Sequence, residues 1–201
     1  MHKHILSRRN DDWEMEVALA FPTSNGGHKI TWDLDYTACV WFANLAYGLP
    51  MRPAGGFKAE DFPILGRLYT FCATYSDFEG MDATADEMRI ILQEPMCNQL
   101  EKSISNMLAC VDVEQYDWKK PFQMLVEHLV YGDLSKRDNK IDIWLNCVEE
   151  MELLQWFGKE FARKAMREAR CRPELGGVPD LEEACRYHQH TEHGLPCYRE
   201  R

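Results

Sequence analysis

The chain has 201 residues, of which 45% are hydrophobic and 28% are charged, so it is long enough for one domain with a sizeable core. Its formal net charge of −10 is unevenly distributed. Six basic and two acidic residues give residues 159–172 a charge of +4, which leaves −14 for the remainder. A surface this acidic repels nucleic acid and anionic membranes, and it attracts basic protein surfaces.

The apolar stretches predict neither a secretory signal nor a membrane span. No apolar run follows the basic residues of the first ten positions. The longest apolar stretch, residues 38–47, is far shorter than the ~20 residues that cross a bilayer. Most of the eight cysteines stand singly within apolar or helical stretches, where a free thiol acts as a small core residue. We therefore expect a reducing, cytoplasmic compartment.

Two segments near the N-terminus alternate between apolar and polar residues, which predicts β-strands. Residues 14–21 and 29–35 both show this period of two, and turn-forming residues separate them. We expect a β-hairpin with an apolar inner face. Its outer face carries four carboxylates in two facing pairs: Glu16 with Asp33, and Glu14 with Asp35. Like charges that face each other across a ladder destabilise it, so we expect something to offset them.

Three interpretations of these carboxylates stay open. They form a solvated face, an acidic contact surface for a basic protein, or a site for Mg²⁺ or Mn²⁺ in phosphoryl chemistry. No lysine or histidine lies near them in sequence to serve as a base or orienting group, which counts against an enzyme.

From residue 35 onward the apolar spacing becomes helical. One helix is expected over residues 36–47 and another from Asp61 to about Tyr75. Thr84 followed by Glu87 has the pattern of a capping box and predicts the start of a third. Further helical spacing follows Pro95, Asp117 and residue 139.

The segment from Asn139 to Arg170 has the pattern of one long helix with two apolar stripes, around which the other helices pack. Its polar face carries four basic residues at helical spacing: Lys159, Arg163, Arg167 and Arg170. This basic face is solvated, contacts phosphates, or pairs with the acidic hairpin inside the same molecule.

After a loop rich in glycine and proline at residues 171–179, the tail holds a group of metal-ligating residue types. Four of them have spacings that a tetrahedral zinc site accepts: Cys185, His188, His193 and Cys197. His190 and Cys171 lie close to them in sequence. Four protein ligands would leave no open position for catalysis. The alternative is that these residues form a solvated polar C-terminal segment, with a cysteine that binds no metal.

These patterns predict an α+β, predominantly α fold. An N-terminal β-hairpin packs on a bundle of about five to six helices, and a short Cys/His-containing appendage follows. The helical domain with its hairpin covers residues 1–170. The Cys/His-rich tail covers residues 171–201 and has one short helix, from Leu181 to about His190.

The favoured function is a non-enzymatic acidic protein-binding module. It would be an inhibitor or decoy of the phage or mobile-element type that docks on a basic, nucleic-acid-handling protein complex. The first alternative is a zinc-stapled adaptor whose C-terminal tail binds a partner or nucleic acid. The second is a Mg²⁺- or Mn²⁺-dependent enzyme that uses the hairpin carboxylates.

Overall fold

The computed structural model describes residues 3–22, 28–93, 102–104, 106–107, 119–128 and 183–200. Its main helices are α1 (Lys3–Ser7), α2 (Asp11–Leu19), α3 (Tyr36–Ala46), α4 (Phe62–Thr74), α5 (Phe78–Gln93) and α6 (Lys119–Glu127). Short helical elements cover Ala59–Asp61, Ala184–Tyr187, His190–His193 and Tyr198–Glu200. A predominantly helical fold is therefore confirmed, and α3 and α4 match the helices predicted over these parts of the sequence.

The core is built around α4 and α5, which share the largest helix–helix interface among the described residues. Apolar side chains recur along α4 at three- and four-residue intervals, so that one face is buried. α5 is buried on nearly every side. Its middle, residues 80–86, has small side chains apart from one methionine and two aspartates. Neighbouring segments can therefore approach α5 closely from several directions.

α5 packs closely against α4 at Gly80. A Cβ built there would lie 2.5 Å from Sγ of Cys72, well inside van der Waals contact. The missing side chain of Gly80 therefore sets how closely the two helices pack.

A cluster of aromatic rings joins the N-terminal segment to α3 and α4: Trp13, Trp32, Phe42, Phe71 and Tyr75. Trp13 is fully buried and stacks on Tyr75 with 4.0 Å between ring centroids. Its indole N–H donates to Asp77 at 3.1 Å. Arg9 forms a two-pronged ion pair with the same carboxylate, at 2.5 and 2.7 Å. Apolar and charged contacts thus hold α2 against the start of α5.

The predicted N-terminal hairpin is wrong over most of its length. Residues 11–19 form helix α2, and strand pairing in the described residues is limited to β1 (Phe21–Pro22) and β2 (His28–Lys29). The short antiparallel pair places Phe21 opposite Lys29. The predicted pairs of Glu16 with Asp33 and of Glu14 with Asp35 would have placed Phe21 opposite His28, so the register differs by one residue.

Helix α2 forms because its N-terminus is well capped. The Asn10 side chain accepts a hydrogen bond from the backbone N–H of Trp13 at 2.9 Å, and acidic residues occupy the first turn. Trp13 and Val17 are its buried residues, four positions apart as a helix requires. Met15 and Leu19, which the strand pattern placed inside, are exposed.

The second predicted strand is irregular beyond Lys29. Its alternation nevertheless identified the inward side chains correctly. Ile30, Trp32 and Leu34 are partly buried and pack on the core, whereas Asp33 is exposed.

The predicted capping box at Thr84 and Glu87 is also wrong, since α5 already begins at Phe78. The Thr84 hydroxyl lies inside the helix and donates to the carbonyl oxygen of Gly80 at 2.7 Å. The capping residue is Asp77, whose Oδ1 accepts the backbone N–H of Gly80 at 2.9 Å.

The long helix predicted over residues 139–170 lies outside the described residues, and so do its basic side chains Lys159, Arg163, Arg167 and Arg170. The loop that separates residues 1–170 from the tail lies outside them too, so this domain division stays a prediction. Among the helices that are described, none combines the length and the apolar character needed to cross a membrane.

Candidate metal centre

Within the described residues, one group of side chains is arranged as metal ligands would be: Cys185, His188, His190 and Cys197. One ligand atom from each lies within 4.8 Å of all the others. The two sulfur atoms are 3.9 Å apart. Two thiolates bound at ~2.3 Å in a tetrahedral zinc site are separated by about 3.8 Å, so the spacing suits a shared metal ion.

The chain brings these residues together through a compact reversal. After the turn Ala184–Tyr187, His188 adopts an extended conformation with φ −88° and ψ 143°. The short helix His190–His193 then ends at Gly194, whose φ of +64° lies in the left-handed region that glycine favours. This turn sends the chain back so that Cys197 meets Cys185.

Helix α5 supports the group with two buried aspartates one helical turn apart, Asp82 and Asp86. Asp82 is 1% exposed, and its Oδ2 lies 2.6 Å from Nδ1 of His190. Its Oδ1 accepts the backbone N–H of Gln189. The backbone N–H of His190 is a further donor to Oδ2 at 3.3 Å. Asp82 therefore fixes both the backbone and the ring at this point of the tail.

Asp86 faces the other histidine. Its Oδ1 lies 3.0 Å from Nε2 of His188, and its Oδ2 accepts the Tyr198 hydroxyl and lies 2.6 Å from a guanidinium nitrogen of Arg199. Burial opposes ionisation of this carboxyl, but the contacts with His188, Tyr198 and Arg199 outweigh it and lower its pKa. A buried carboxyl group thus lies behind each histidine.

The His188 ring is completely buried, and its Nδ1 has no hydrogen-bond partner among the described residues. Its Nε2 is near Asp86 but poorly aligned for a hydrogen bond. A buried polar atom without a partner costs roughly 1–3 kcal/mol. His188 belongs to the same side-chain group as the two thiols, and a cation bound at Nδ1 would give this atom a partner.

The two thiols differ in exposure, since Cys197 is buried and Cys185 is half-buried. Burial and the neighbouring Cys197 sulfur raise the pKa of the Cys185 thiol to about 11. Both cysteines are free thiols in the structure. Because a metal ion binds the thiolate form, its uptake would release protons.

The structure brings together three of the four residues that the sequence pattern proposed as zinc ligands: Cys185, His188 and Cys197. His190 completes the group, and His193 lies outside it. The exposed His193 ring stacks on Phe78 with 4.0 Å between ring centroids. The spacing argument assumed a helix running to about His190, whereas the extended His188 turns His190 inward.

Sequence reasoning missed Asp82 and Asp86. The signal was a pair of aspartates four residues apart in a run of glycine, alanine and threonine. Such small residues permit burial all around a helix, and a buried carboxylate needs partners.

The carboxylates predicted to face each other do not form a ladder. Glu14 and Glu16 lie on helix α2, and Asp33 is exposed in the irregular segment. Asp35 caps α3 by accepting the backbone N–H of Ala38 at 2.9 Å. The paired geometry on which a Mg²⁺ or Mn²⁺ site rested is therefore absent from the described residues.

A second contact fastens the tail to α6. Glu127 is 1% exposed and accepts two hydrogen bonds from Arg186, at 2.7 and 3.0 Å, and one from the Tyr187 hydroxyl at 2.9 Å. Lys120 and Glu192 form an ion pair at 3.2 Å. Residues that lie between the candidate ligands in the sequence are thus held in place by a different helix.

Comparisons with known proteins add nothing to this geometry. No family model, no curated protein and no solved structure matches the chain. The function must therefore be argued from the residues themselves.

Proposed function

We propose that the protein is a non-enzymatic zinc-binding protein in which a structural zinc ion fastens the C-terminal segment 183–200 to helix α5. The observation that carries this proposal is the group of two thiols and two imidazoles backed by buried aspartates. Two sulfur and two nitrogen donors in tetrahedral reach favour zinc, whereas Mg²⁺ and Ca²⁺ prefer oxygen ligands.

The proposed role is structural because four protein ligands leave no coordination position for water or a substrate. Segment 183–200 also needs such support. Tyr187 is the one large apolar side chain that it buries completely, and Leu195 is 41% exposed. Structural zinc contributes on the order of 10 kcal/mol of binding energy to folding, which would compensate for this small apolar contact.

The test is the zinc content of purified protein and of single variants. About one zinc per chain is expected for the wild type, and its loss is expected in Cys185→Ser, Cys197→Ser and His190→Gln. His193→Gln is the matched control because it removes a nearby histidine outside the group. Cys39→Ser is the thiol control. A wild type without zinc, or equal zinc in His190→Gln and His193→Gln, would contradict the proposal.

Our second candidate function is docking of the acidic surface on a basic protein, such as a component of a nucleic-acid-handling complex that the protein would inhibit or mimic. The exposed face of α2 favours it. Two acidic and two large apolar side chains share that face: Asp11, Glu14, Met15 and Leu19. Acidic side chains around apolar ones suit a basic amphipathic surface. In this view the zinc-stapled tail is a rigid part of the same adaptor.

Pull-down against basic nucleic-acid-binding complexes at low and high salt tests this docking. We expect capture that weakens with salt and weakens further in Glu14→Lys, because both changes reduce electrostatic attraction. Glu183→Lys changes the net charge equally at an exposed position of the tail and is the control. Salt-insensitive capture, or equal losses in the two variants, would contradict it.

A cytoplasmic location follows as part of the proposal. Zinc-binding cysteines must remain reduced, and a reducing compartment keeps them in that state.

A further inference from the structure

We infer that the two histidines bind the metal through different ring nitrogens, His188 through Nδ1 and His190 through Nε2, and that Asp82 and Asp86 are the positioning residues that impose this difference. The inference rests on the proposed zinc site and assigns the donor atom of each histidine and the residue that selects it.

For His190 the assignment follows from its contact with Asp82. Its Nδ1 lies 2.6 Å from Oδ2 of this carboxylate, which is a hydrogen-bond distance. A carboxylate oxygen only accepts, so the proton of His190 resides on Nδ1. The lone pair is then on Nε2, which becomes the only nitrogen of this ring that can bind a metal ion.

For His188 the arrangement is reversed. Neither of its ring nitrogens makes an aligned hydrogen bond among the described residues, but Nε2 lies 3.0 Å from Oδ1 of Asp86. An Nε2 proton directed at this oxygen would give both atoms a partner. The lone pair on Nδ1 then belongs to the metal site, and zinc supplies the partner that this atom lacks.

The two aspartates can select the nitrogens because they are themselves held. Asp82 is fixed by backbone N–H groups of Gln189 and His190, and Asp86 by Tyr198 and Arg199. Both carboxylates project from one buried helix, four residues apart. The histidines lie only two residues apart in an extended-to-helical turn, with 5.0 Å between ring centroids. Each ring therefore meets its own aspartate.

This arrangement makes a direct prediction for the zinc-loaded wild type, which needs no variant. Nitrogen-15 NMR of the imidazole rings is expected to show one zinc-bound histidine with its proton on Nε2 and one with its proton on Nδ1. Correlation of each ring with the backbone resonances of its own residue assigns the two sets of signals without removing a ligand. Two histidines bound through the same nitrogen would overturn the inference while leaving the zinc site intact. The absence of any zinc-bound histidine would overturn both.

Variants of the aspartates test the positioning role. Asp82→Asn and Asp86→Asn are expected to weaken zinc binding roughly 10–100-fold in competition with a chromophoric chelator. Glu87→Gln is the matched control, because Glu87 lies on the same helix but pairs with Arg52, at 2.6 Å. Unchanged affinity in both aspartate variants would contradict the inference.

The identity of the affected ring distinguishes a positioning role from a general loss of stability. Asp82→Asn should alter the nitrogen-15 signals of His190 and leave those of His188 in place, and Asp86→Asn should do the opposite. Equal disturbance of both rings by each variant would show that the aspartates only support the fold.

Discussion

At the scale of single residues, the buried acidic side chains distinguish this molecule. Four of them lie almost entirely out of solvent, each with charged or hydrogen-bonding partners: Asp77, Asp82, Asp86 and Glu127. An isolated buried charge is costly, so these carboxylates persist because their partners compensate for lost hydration. Each one also joins segments that are far apart in the sequence. The sequence pattern instead drew attention to Glu14 and Asp33, which are exposed.

Gly80→Ala should destabilise the protein by roughly 1–3 kcal/mol, because the added methyl group overlaps the Cys72 sulfur in a packed interface. Gly55→Ala is the control, since a Cβ at Gly55 meets nothing within 4 Å and its φ is not positive. Urea denaturation of both variants provides the measurement. Equal midpoints for the two variants would mean that α4 and α5 can separate at no cost.

His128 should make stability fall in mild acid. Burial, together with the positive charge of Arg89, lowers its pKa from 6.5 to about 4, although Glu127 acts in the opposite direction. Below pH ~6.5 the unfolded chain therefore takes up a proton that the folded chain refuses, so the free energy of unfolding decreases as the pH falls toward 4. The limit of this loss is roughly 3 kcal/mol.

The measurement is the difference in unfolding free energy between wild type and His128→Leu from pH 7 to pH 4.5. Groups common to both proteins cancel, among them Tyr187, whose ring lies 6.1 Å from that of His128. We expect the wild type to lose stability relative to the variant across this range. A constant difference would mean that His128 takes up its proton at the same pH in the folded and unfolded chains, so that its environment does not oppose the charge.

At the scale of secondary structure, sequence reasoning succeeded where the apolar residues of a segment had helical spacing alone and no strand-like alternation. Helices α3 and α4 were predicted within a residue or two because stop signals and a proline bounded their apolar spacing. It failed at α2, where residues 14–21 alternate as a strand does but the chain is helical through Leu19. There the decisive features were the Asn10 cap and a Trp13–Val17 pair that packs into the core.

The candidate metal ligands show a similar division between what the sequence could and could not predict. Cys185, His188 and Cys197 could be named because their residue types and spacing are unusual in a tail. The choice of His190 over His193 depends on the backbone at His188, which spacing alone does not specify. The role of Asp82 and Asp86 follows from a contact between segments about 100 residues apart. Such contacts have no local signature in one sequence.

Asp77→Asn should destabilise two parts of the fold at once, because Asp77 both caps α5 and binds Arg9 and Trp13 of the N-terminal segment. The change removes the negative charge that compensates Arg9, whose side chain is 7% exposed, and a buried charge without its partner costs ~3–5 kcal/mol. Asp61→Asn is the contrast, since Asp61 caps a turn at the exposed N–H of Lys58 and should cost less than ~1 kcal/mol.

The free energy of unfolding of both variants is measured by chemical denaturation, with tryptophan fluorescence as the signal. Fluorescence is suitable because Trp13 donates to the Asp77 carboxylate. A loss of less than ~1 kcal/mol in Asp77→Asn would show that the Arg9 charge is readily hydrated when its partner is removed.

At the scale of the whole molecule, two helices hold segment 183–200 in different ways. α5 contributes the aspartates behind the candidate ligands, and α6 contributes the ion pairs of Glu127 and Lys120. Neither contact rests on a large apolar surface. The attachment of the tail is therefore expected to depend on metal and on salt, whereas the α4–α5 core should depend on neither.

Removal of zinc with a chelator should make the tail accessible to trypsin. Cleavage after Arg186 and Arg199 is expected to accelerate, because loss of the metal leaves only ion pairs, hydrogen bonds and a small apolar contact to hold this segment. Mass spectrometry of timed digests identifies the cut sites. His193→Gln should retain zinc and protection, and Cys197→Ser should resemble the chelated protein. Identical digestion with and without chelator would mean that zinc does not fasten the tail.

The unequal exposure of the two candidate sulfur ligands has a kinetic consequence for a bound zinc ion. Three of the four candidate ligands are buried, and Cys185 alone is partly open to solvent. An incoming chelator or soft electrophile would reach its sulfur first, so the lifetime of the bound ion would be governed by how often that single metal–sulfur bond opens. Alkylating agents should accordingly modify Cys185 before Cys197, and the rate of that reaction would report directly on metal exchange.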